Sequence, residues 1–159
     1  MRYWLYKCNV EGGPAGYWGD WRTNVFASRK KEIEWGGDYS TLSPEVHKHL
    51  RESVEAGDVI AAYQTDQRLV VGFCRITRMS GRAGQRKIWL TPIHELNPGF
   101  AIHERKHGSP LESSTAVRGM LMLRELDKTE METLVRLSGA PARVLRGRGP
   151  ASGRTQRTA

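Results

Sequence analysis

The chain has two cysteines in 159 residues, Cys8 and Cys74. Both stand inside apolar, strand-like stretches. That excludes a disulfide scaffold and leaves two buried, reduced thiols as the expectation. No apolar run approaches the roughly 20 residues needed to span a bilayer. The opening MRYWLYKCNV has no apolar h-region before a small-residue cleavage site, so a cytoplasmic protein is expected. Phosphate-cradling glycine motifs are missing, since neither GxGxxG nor GxxxxGK followed by Ser or Thr occurs, and there is no GxSxG nucleophile elbow. Acid is absent from one whole region. From Thr133 onward there are six arginines (Arg136, Arg143, Arg146, Arg148, Arg154, Arg157) and no Asp or Glu.

What is present is positive charge and tryptophan. Lys and Arg number 25 against 17 for Asp and Glu, a formal charge of +8, of which the segment after Thr133 carries +6. The remainder is only mildly basic. Such a surplus favours polyanionic partners. A chain of this length holds one hydrophobic core, so a single domain over residues 1–142 is expected, with 143–159 as a basic, disordered tail lacking any apolar side chain larger than alanine beyond Leu145.

The local signals are clear in places. RYWLYKC reads as a strand, and the glycine-rich Asn9–Asp20 segment as a loop. SPEVHKHLRESVEAGD reads as a helix, with Ser43 as N-cap, Pro44 at the first helical position, a Val46, Leu50, Val54 stripe and Gly57 at its end. DVIAAYQ and RLVVGFCRI flank a polar turn and form a hairpin, and IWLTPI is a further strand. Residues 97–115 look irregular and AVRGMLML strand-like. DKTEMETLVRLSGAP is a helix opened by an Asp127/Glu130 capping box and closed by Gly139 and Pro141. Hairpin connections predominate, which points to an α+β domain round a curved or closed antiparallel sheet.

HERKH at 103–107 matches HExxH, in which a helix turns two imidazoles toward one zinc ion and the Glu acts as base on bound water. The flanks argue against it. Pro98, Gly99, Gly108 and Pro110 leave barely two helical turns, the intervening residues are the cations Arg105 and Lys106, and neither His47 nor His49 makes an obvious third ligand. An exposed basic turn is the reading that fits, with no metal and no cofactor.

Five tryptophans, Trp4, Trp18, Trp21, Trp35 and Trp89, punctuate the chain. Trp4 fits a core position. Loop-borne indoles among Arg and Lys have the composition of a base-stacking surface, where each stacked base contributes roughly 1–3 kcal/mol and cations follow the phosphates.

The order of these pieces resembles the EVE and YTH families of the PUA-like superfamily. The pieces are a strand ending Lys7-Cys8-Asn9, a tryptophan Trp35 before small and polar residues, a helix, the hairpin VIAAYQTDQRLVVGFCRI, and Trp89 in KIWLTPI. The resemblance covers about residues 2–138. It implies a PUA-like pseudo-barrel of mostly antiparallel strands flanked by two or three helices. It further implies a non-catalytic reader that flips a modified base, such as N6-methyladenine or 5-methylcytosine, out of DNA or RNA into an aromatic cage. Carried over by position, Trp35 and Trp89 are the cage walls and Phe100 its floor, while Asn9, Cys8 and Lys7 read the base edge and the adjoining phosphate. Trp18, Trp21 and Tyr63 are additional aromatics, and Arg118 is a basic residue at a strand. Arg75, Arg78, Arg82, Arg86 and Lys87 form a basic rim for the backbone. A monomer is expected, acting alone or with a nuclease or methyltransferase partner. Cys8 departs from the small hydroxyl residue common at its place, and EGGPAGYWGDWRTN has no counterpart. Two other readings stand beside this one. One is a PUA-like amidohydrolase acting on an acylated nucleoside through Lys7, Thr23 and Glu32 or Glu34. The other is nonspecific nucleic-acid binding by the basic tail.

Overall fold

A computed structural model describes residues 1–10, 19–35, 51–102, 111 and 123–146. These form a six-stranded sheet in the order β2-β5-β4-β3-β1-β6. The strands are β1 (Tyr3–Cys8), β2 (Ile33–Trp35), β3 (Val59–Gln64), β4 (Leu69–Ser80), β5 (Lys87–Phe100) and β6 (Leu123–Leu126). A π-helical turn, Arg22–Phe26, precedes β2, and helix α1 (Lys128–Ser138) with a 3-10 turn (Ala142–Leu145) follows β6.

The sheet curls into the half-barrel of an α+β, PUA-like fold. Register shifts interrupt the β3–β4 pairing at Ala62/Tyr63 and the β4–β5 pairing at three places, and each bulge bends a strand and increases its twist. The consequence shows in one contact. Trp35 of β2 donates its indole N–H to Cys8 Sγ of β1 at 3.2 Å, although β5, β4 and β3 lie between those strands in the sheet. Only a sheet curled toward that face brings them together.

Alternation along the strands builds two cores. Trp4, Tyr6, Cys8, Ile60, Ala62, Cys74, Ile76, Ile88 and Leu90 face the interior of the curl with Trp21, Val25 and Trp35. Tyr3, Leu5, Val59, Ala61, Tyr63, Val70, Phe73 and Leu96 face outward under α1, against Met131, Leu134 and Val135. Trp4 is core, as expected, and its indole N–H donates to the buried Asp58 at 3.0 Å. Phe26 seats its ring on Gly72, where an added Cβ would stand 2.3 Å from the ring.

Helix α1 forms as its sequence dictates. Asp127 accepts from the Glu130 N–H at 2.7 Å, the Glu130 carboxylate accepts from the Asp127 N–H at 3.1 Å, and Gly139 closes the helix in the left-handed conformation at φ 76°. Three expectations need correction. First, β1 and β3 pair in parallel, Tyr3 with Val59 through Cys8 with Gln64, so the connection between them is a crossover and the sheet is mixed. Second, residues 97–100 continue β5 rather than being irregular. Third, Val144 is fully buried in the outer core, and Arg75 Nη2 donates to the Arg146 carbonyl at 2.7 Å, so the folded body reaches Arg146 rather than stopping at 142. Of the helix expected from Ser43, residues 51–53 are helical. Its earlier part, the 11–18 loop, most of the AVRGMLML stretch and the tail from 147 lie outside the described residues.

Candidate functional site

Strands β1 and β3 run side by side in the same direction, so both end at one pole of the sheet, at Cys8 and Gln64. An aromatic cluster gathers there. Trp21 and Trp35 stack with centroids 4.3 Å apart and an interplanar angle of 28°, and Tyr6 meets Trp21 edge-on at 5.6 Å and 84°. Trp21 is fully buried, whereas Trp35 keeps 6% of its surface exposed. Of the pair, Trp35 alone keeps any exposed surface, and only at that margin.

Hydrogen bonds fix both indoles. Trp21 Nε1 donates to the Tyr63 carbonyl at 3.2 Å, and Trp35 Nε1 is held by Cys8. Gln64 is the anchor. Its Oε1 accepts from the Trp21 backbone N–H at 2.9 Å, while Nε2 donates to the Gly19 carbonyl at 3.0 Å and to Asp66 Oδ1 at 2.6 Å. Gly19 has φ 146°, and an added Cβ would stand 2.8 Å from the Trp35 ring, so the chain approaches that indole closely only because glycine is there. Arg51 is fully buried and its Nη2 lies 3.4 Å from the Trp35 carbonyl. Burial pushes the Cys8 thiol well above its ordinary pKa, so it stays neutral as acceptor and apolar neighbour to Trp35.

The structure divides the expected site residues. Trp35 pairs with Ile88 and Glu34 with Trp89, so Trp35 and Trp89 point to opposite faces and do not form the two walls of one cage. Trp89 lies outside the curl, with the Arg78 guanidinium 4.0 Å above its ring and its Nε1 donating to Ser80 Oγ at 2.8 Å. Phe100 pairs with Val70 and joins the outer core, so it is not the floor beneath Trp35. Lys7 also projects outward, its Nζ 5.8 Å from the Tyr63 ring centroid, away from its neighbour Cys8. Burial first, and then the nearby Arg124 charge, lower its pKa to about 8. Asn9 contributes its backbone carbonyl to the Gly19 N–H at 2.9 Å. Trp18 and Arg118 lie outside the described residues.

The expected basic rim is largely neutralised. Arg78 pairs with Glu32 at 2.6 Å, Arg86 with Glu52 at 3.3 Å and Lys87 with Glu34 at 3.4 Å. Arg75 is buried, donating to the Gly57 carbonyl at 3.2 Å as well as to Arg146, and is a structural cation. Arg82 is exposed in the β4–β5 turn. The sequence reading passed over Arg29, Lys30 and Lys31, three consecutive exposed cations between the Trp21-bearing turn and β2.

The amidohydrolase constellation of Lys7, Thr23 and Glu32 or Glu34 does not assemble. Glu32 is engaged by Thr77 and Arg78, whose hydrogen bonds, Thr77's first, lower its pKa, and Glu34 by Lys87. Lys7 stands apart with Tyr63, and Thr23 is exposed on the π-helical turn. Among the described residues no group of three His, Cys, Asp or Glu side chains is placed to hold a metal. The HERKH stretch falls outside them. No helix among the described residues is long and apolar enough to cross a membrane.

Sequence reasoning missed Gln64 and Arg51, and left Trp21 unassigned. The signal for Gln64 was legible: it is the lone polar side chain in VIAAYQ, a strand buried at all six positions. Arg51 carried none, since an arginine in a helical pattern reads as surface.

The α+β half-barrel is a fold that solved structures share. The crystal structure of human THYN1 in complex with 5-methylcytosine-containing DNA matches at TM-score 0.66 and 12% identity, covering 89% of this chain and 99% of that one. The DUF55 domain of human thymocyte nuclear protein 1 matches at TM-score 0.64 and 12% identity, over 86% of this chain and 98% of that one. Protein Atu2648 from Agrobacterium tumefaciens matches at TM-score 0.65 and 17% identity, over 88% and 94%. No protein-family model and no curated protein sequence matches the chain.

Proposed function

We propose that this protein is a non-catalytic reader of nucleic acid carrying a modified base, with Trp35 as the stacking surface. The observation that carries the reading is the fold it shares with human THYN1, a protein solved with 5-methylcytosine-containing DNA. The Trp21–Trp35 pair supplies a chemistry suited to it.

The geometry constrains how a base is held. Sandwiching a base between two rings requires about 7 Å between them, two contact distances of 3.5 Å, and the indoles stand at 4.3 Å. The pair is therefore one wall. A flipped base lies against Trp35, with Trp21 and Tyr6 stiffening the ring from behind. Flipping costs a few kcal/mol and is least unfavourable on single strands or weak pairs, and stacking of roughly 1–3 kcal/mol offsets it. Cys8, held neutral beside Trp35, is a compact apolar neighbour for a methyl group. Burying a methyl contributes only about 0.8 kcal/mol, less than tenfold, so stronger selectivity requires polar contacts to the base edge. Nothing in this mechanism breaks a bond.

The test is a titration of short oligonucleotides, with and without 5-methylcytosine or N6-methyladenine, against wild type and Trp35→Phe and Trp35→Ala. Wild type should prefer one methylated strand several-fold. Trp35→Phe should weaken binding less than Trp35→Ala, which loses about 10- to 100-fold. Equal affinity in every combination refutes the reading.

A further inference from the structure

A cavity of about 540 Å³ opens between residues 94–101, at and just past the end of β5, and the end of α1 (Leu137–Gly139). Nothing in the mechanism above uses it. We infer that it is a subsite for one further base of the bound strand, an amino-bearing base such as cytosine or adenine rather than thymine. The inference rests on the nucleic-acid reading of the Trp35 site and extends it to the neighbouring nucleotide.

Size and lining give the ligand class. The volume falls in the range of small-molecule sites, roughly 300–1,000 Å³. Phe100 is half-buried and offers an aromatic ring, Leu96 and Leu137 supply apolar wall, and the exposed Asn97 with the half-buried His94 and Ser138 provides hydrogen-bonding groups. A planar heterocycle with polar edges uses all of these.

Electrostatics decide what enters. The C-terminal end of α1 presents carbonyl oxygens and the negative end of its dipole, and Glu95 adds a carboxylate. An anion is disfavoured inside, whereas an exocyclic amino group donates to such acceptors; thymine has none. Cations stand instead at the edges. Arg22 approaches Glu95 at 3.6 Å and donates to the Leu96 carbonyl at 2.7 Å, and Arg143 donates to the Ile93 carbonyl at 3.3 Å. Those contacts brace the two ends of the cavity.

Connectivity ties the cavity to the indole pair. Arg22 follows Trp21 directly, so one end of the cavity is held by the residue next to the stack. Cross-strand pairing agrees. Cys8 pairs with Gln64, Gln64 with Leu69, and the adjacent Val70 with Phe100, so Phe100 and Cys8 share one pole of the sheet.

Two measurements test it. Deoxyadenosine, deoxycytidine and thymidine are titrated into the isotope-labelled full chain and followed by NMR. The expected result is shifts at Asn97, Phe100 and Ser138, larger for the two amino-bearing nucleosides; no shift there at millimolar concentration overturns the subsite. In the second, five-nucleotide strands with a central 5-methylcytosine carry one abasic position at each neighbouring site in turn. Wild type should lose about tenfold at one position. Phe100→Ala and Asn97→Ala should lose that dependence while keeping the preference for the methylated centre. If both variants respond to the abasic series as wild type does, the subsite is wrong, whatever Trp35→Ala does. If nucleosides shift the cavity residues but Trp35→Ala binds as wild type, the subsite stands and the Trp35 reading fails.

Discussion

Two tryptophans one strand apart in this sheet have opposite lives. Trp35 is almost wholly buried, stacked on Trp21 and bonded to Cys8. Trp89 lies on the outer face under the Arg78 guanidinium, among Glu32, Glu34 and Lys87. What separates them is a single step of register. Trp35 faces Ile88 across the β2–β5 pair, and Trp89 faces Glu34. Since successive side chains alternate between faces, one residue of slippage would exchange their environments. Residue type alone therefore says little about which indole belongs to a site.

The comparison breaks most sharply under truncation. Trp35→Ala removes an almost wholly buried ring from the stack on Trp21 and should lower stability by about 3–5 kcal/mol. Trp89→Ala forfeits a partly exposed ring and one cation–π contact, so a loss of about 1 kcal/mol is expected. Urea denaturation of the two variants checks this, and equal midpoints would mean that the indoles are equivalent after all.

A smaller effect sharpens the same contrast by acting on the anchor instead of the ring. Gln64→Ala strands the buried Trp21 N–H and removes a partner of the half-buried Gly19 carbonyl, which should cost about 1–3 kcal/mol. The change leaves the outer-face pair intact. Tryptophan fluorescence should then report greater solvent exposure for the Trp21–Trp35 pair alone, with Trp21→Phe and Trp89→Phe backgrounds assigning the signal. An unaltered spectrum would show that stacking holds Trp21 without Gln64.

These two regions also mark what can be read from a sequence. Helix α1 was legible to the residue, because Asp127, Glu130 and Gly139 are local signals with local causes. The β3–β4 hairpin was equally plain. Strand β2 has three residues, too few for a periodic pattern, and its pairing partner is more than fifty positions away. The parallel pairing of β1 with β3 is a long-range fact with no local signature. Trp89 is the instructive failure. In KIWL the apolar Ile88 and Leu90 flank it, so it must oppose them on the strand, but which face is the interior becomes known only once Trp35 is found opposite Ile88. The walls of the expected cage were the right kind of residue, joined by a register that the chain alone does not declare.

Lys7 and Cys8 carry the contrast between faces down to adjacent residues, and proton titration reads the outer one. Lys7 has its pKa lowered to about 8 from 10.5, by burial first and then by Arg124. Below pH 8 the amine is protonated in both folded and unfolded chains, and folding bears the full penalty of burying that charge. Between about 8 and 10.5 the folded chain has released the proton while the unfolded chain keeps it, so the unfolded state binds more protons and stability rises with pH. Lys7→Met has no such charge, so the stability advantage of the variant should shrink across this window and be largest at neutral pH. The effect is the smallest of the three, because the partly exposed amine is screened by solvent. Denaturant midpoints of both proteins at pH 7, 9 and 10 measure it. Parallel pH profiles would show that Lys7 keeps an ordinary pKa, and that the outer end of β1 is better solvated than its contact with Tyr63 implies.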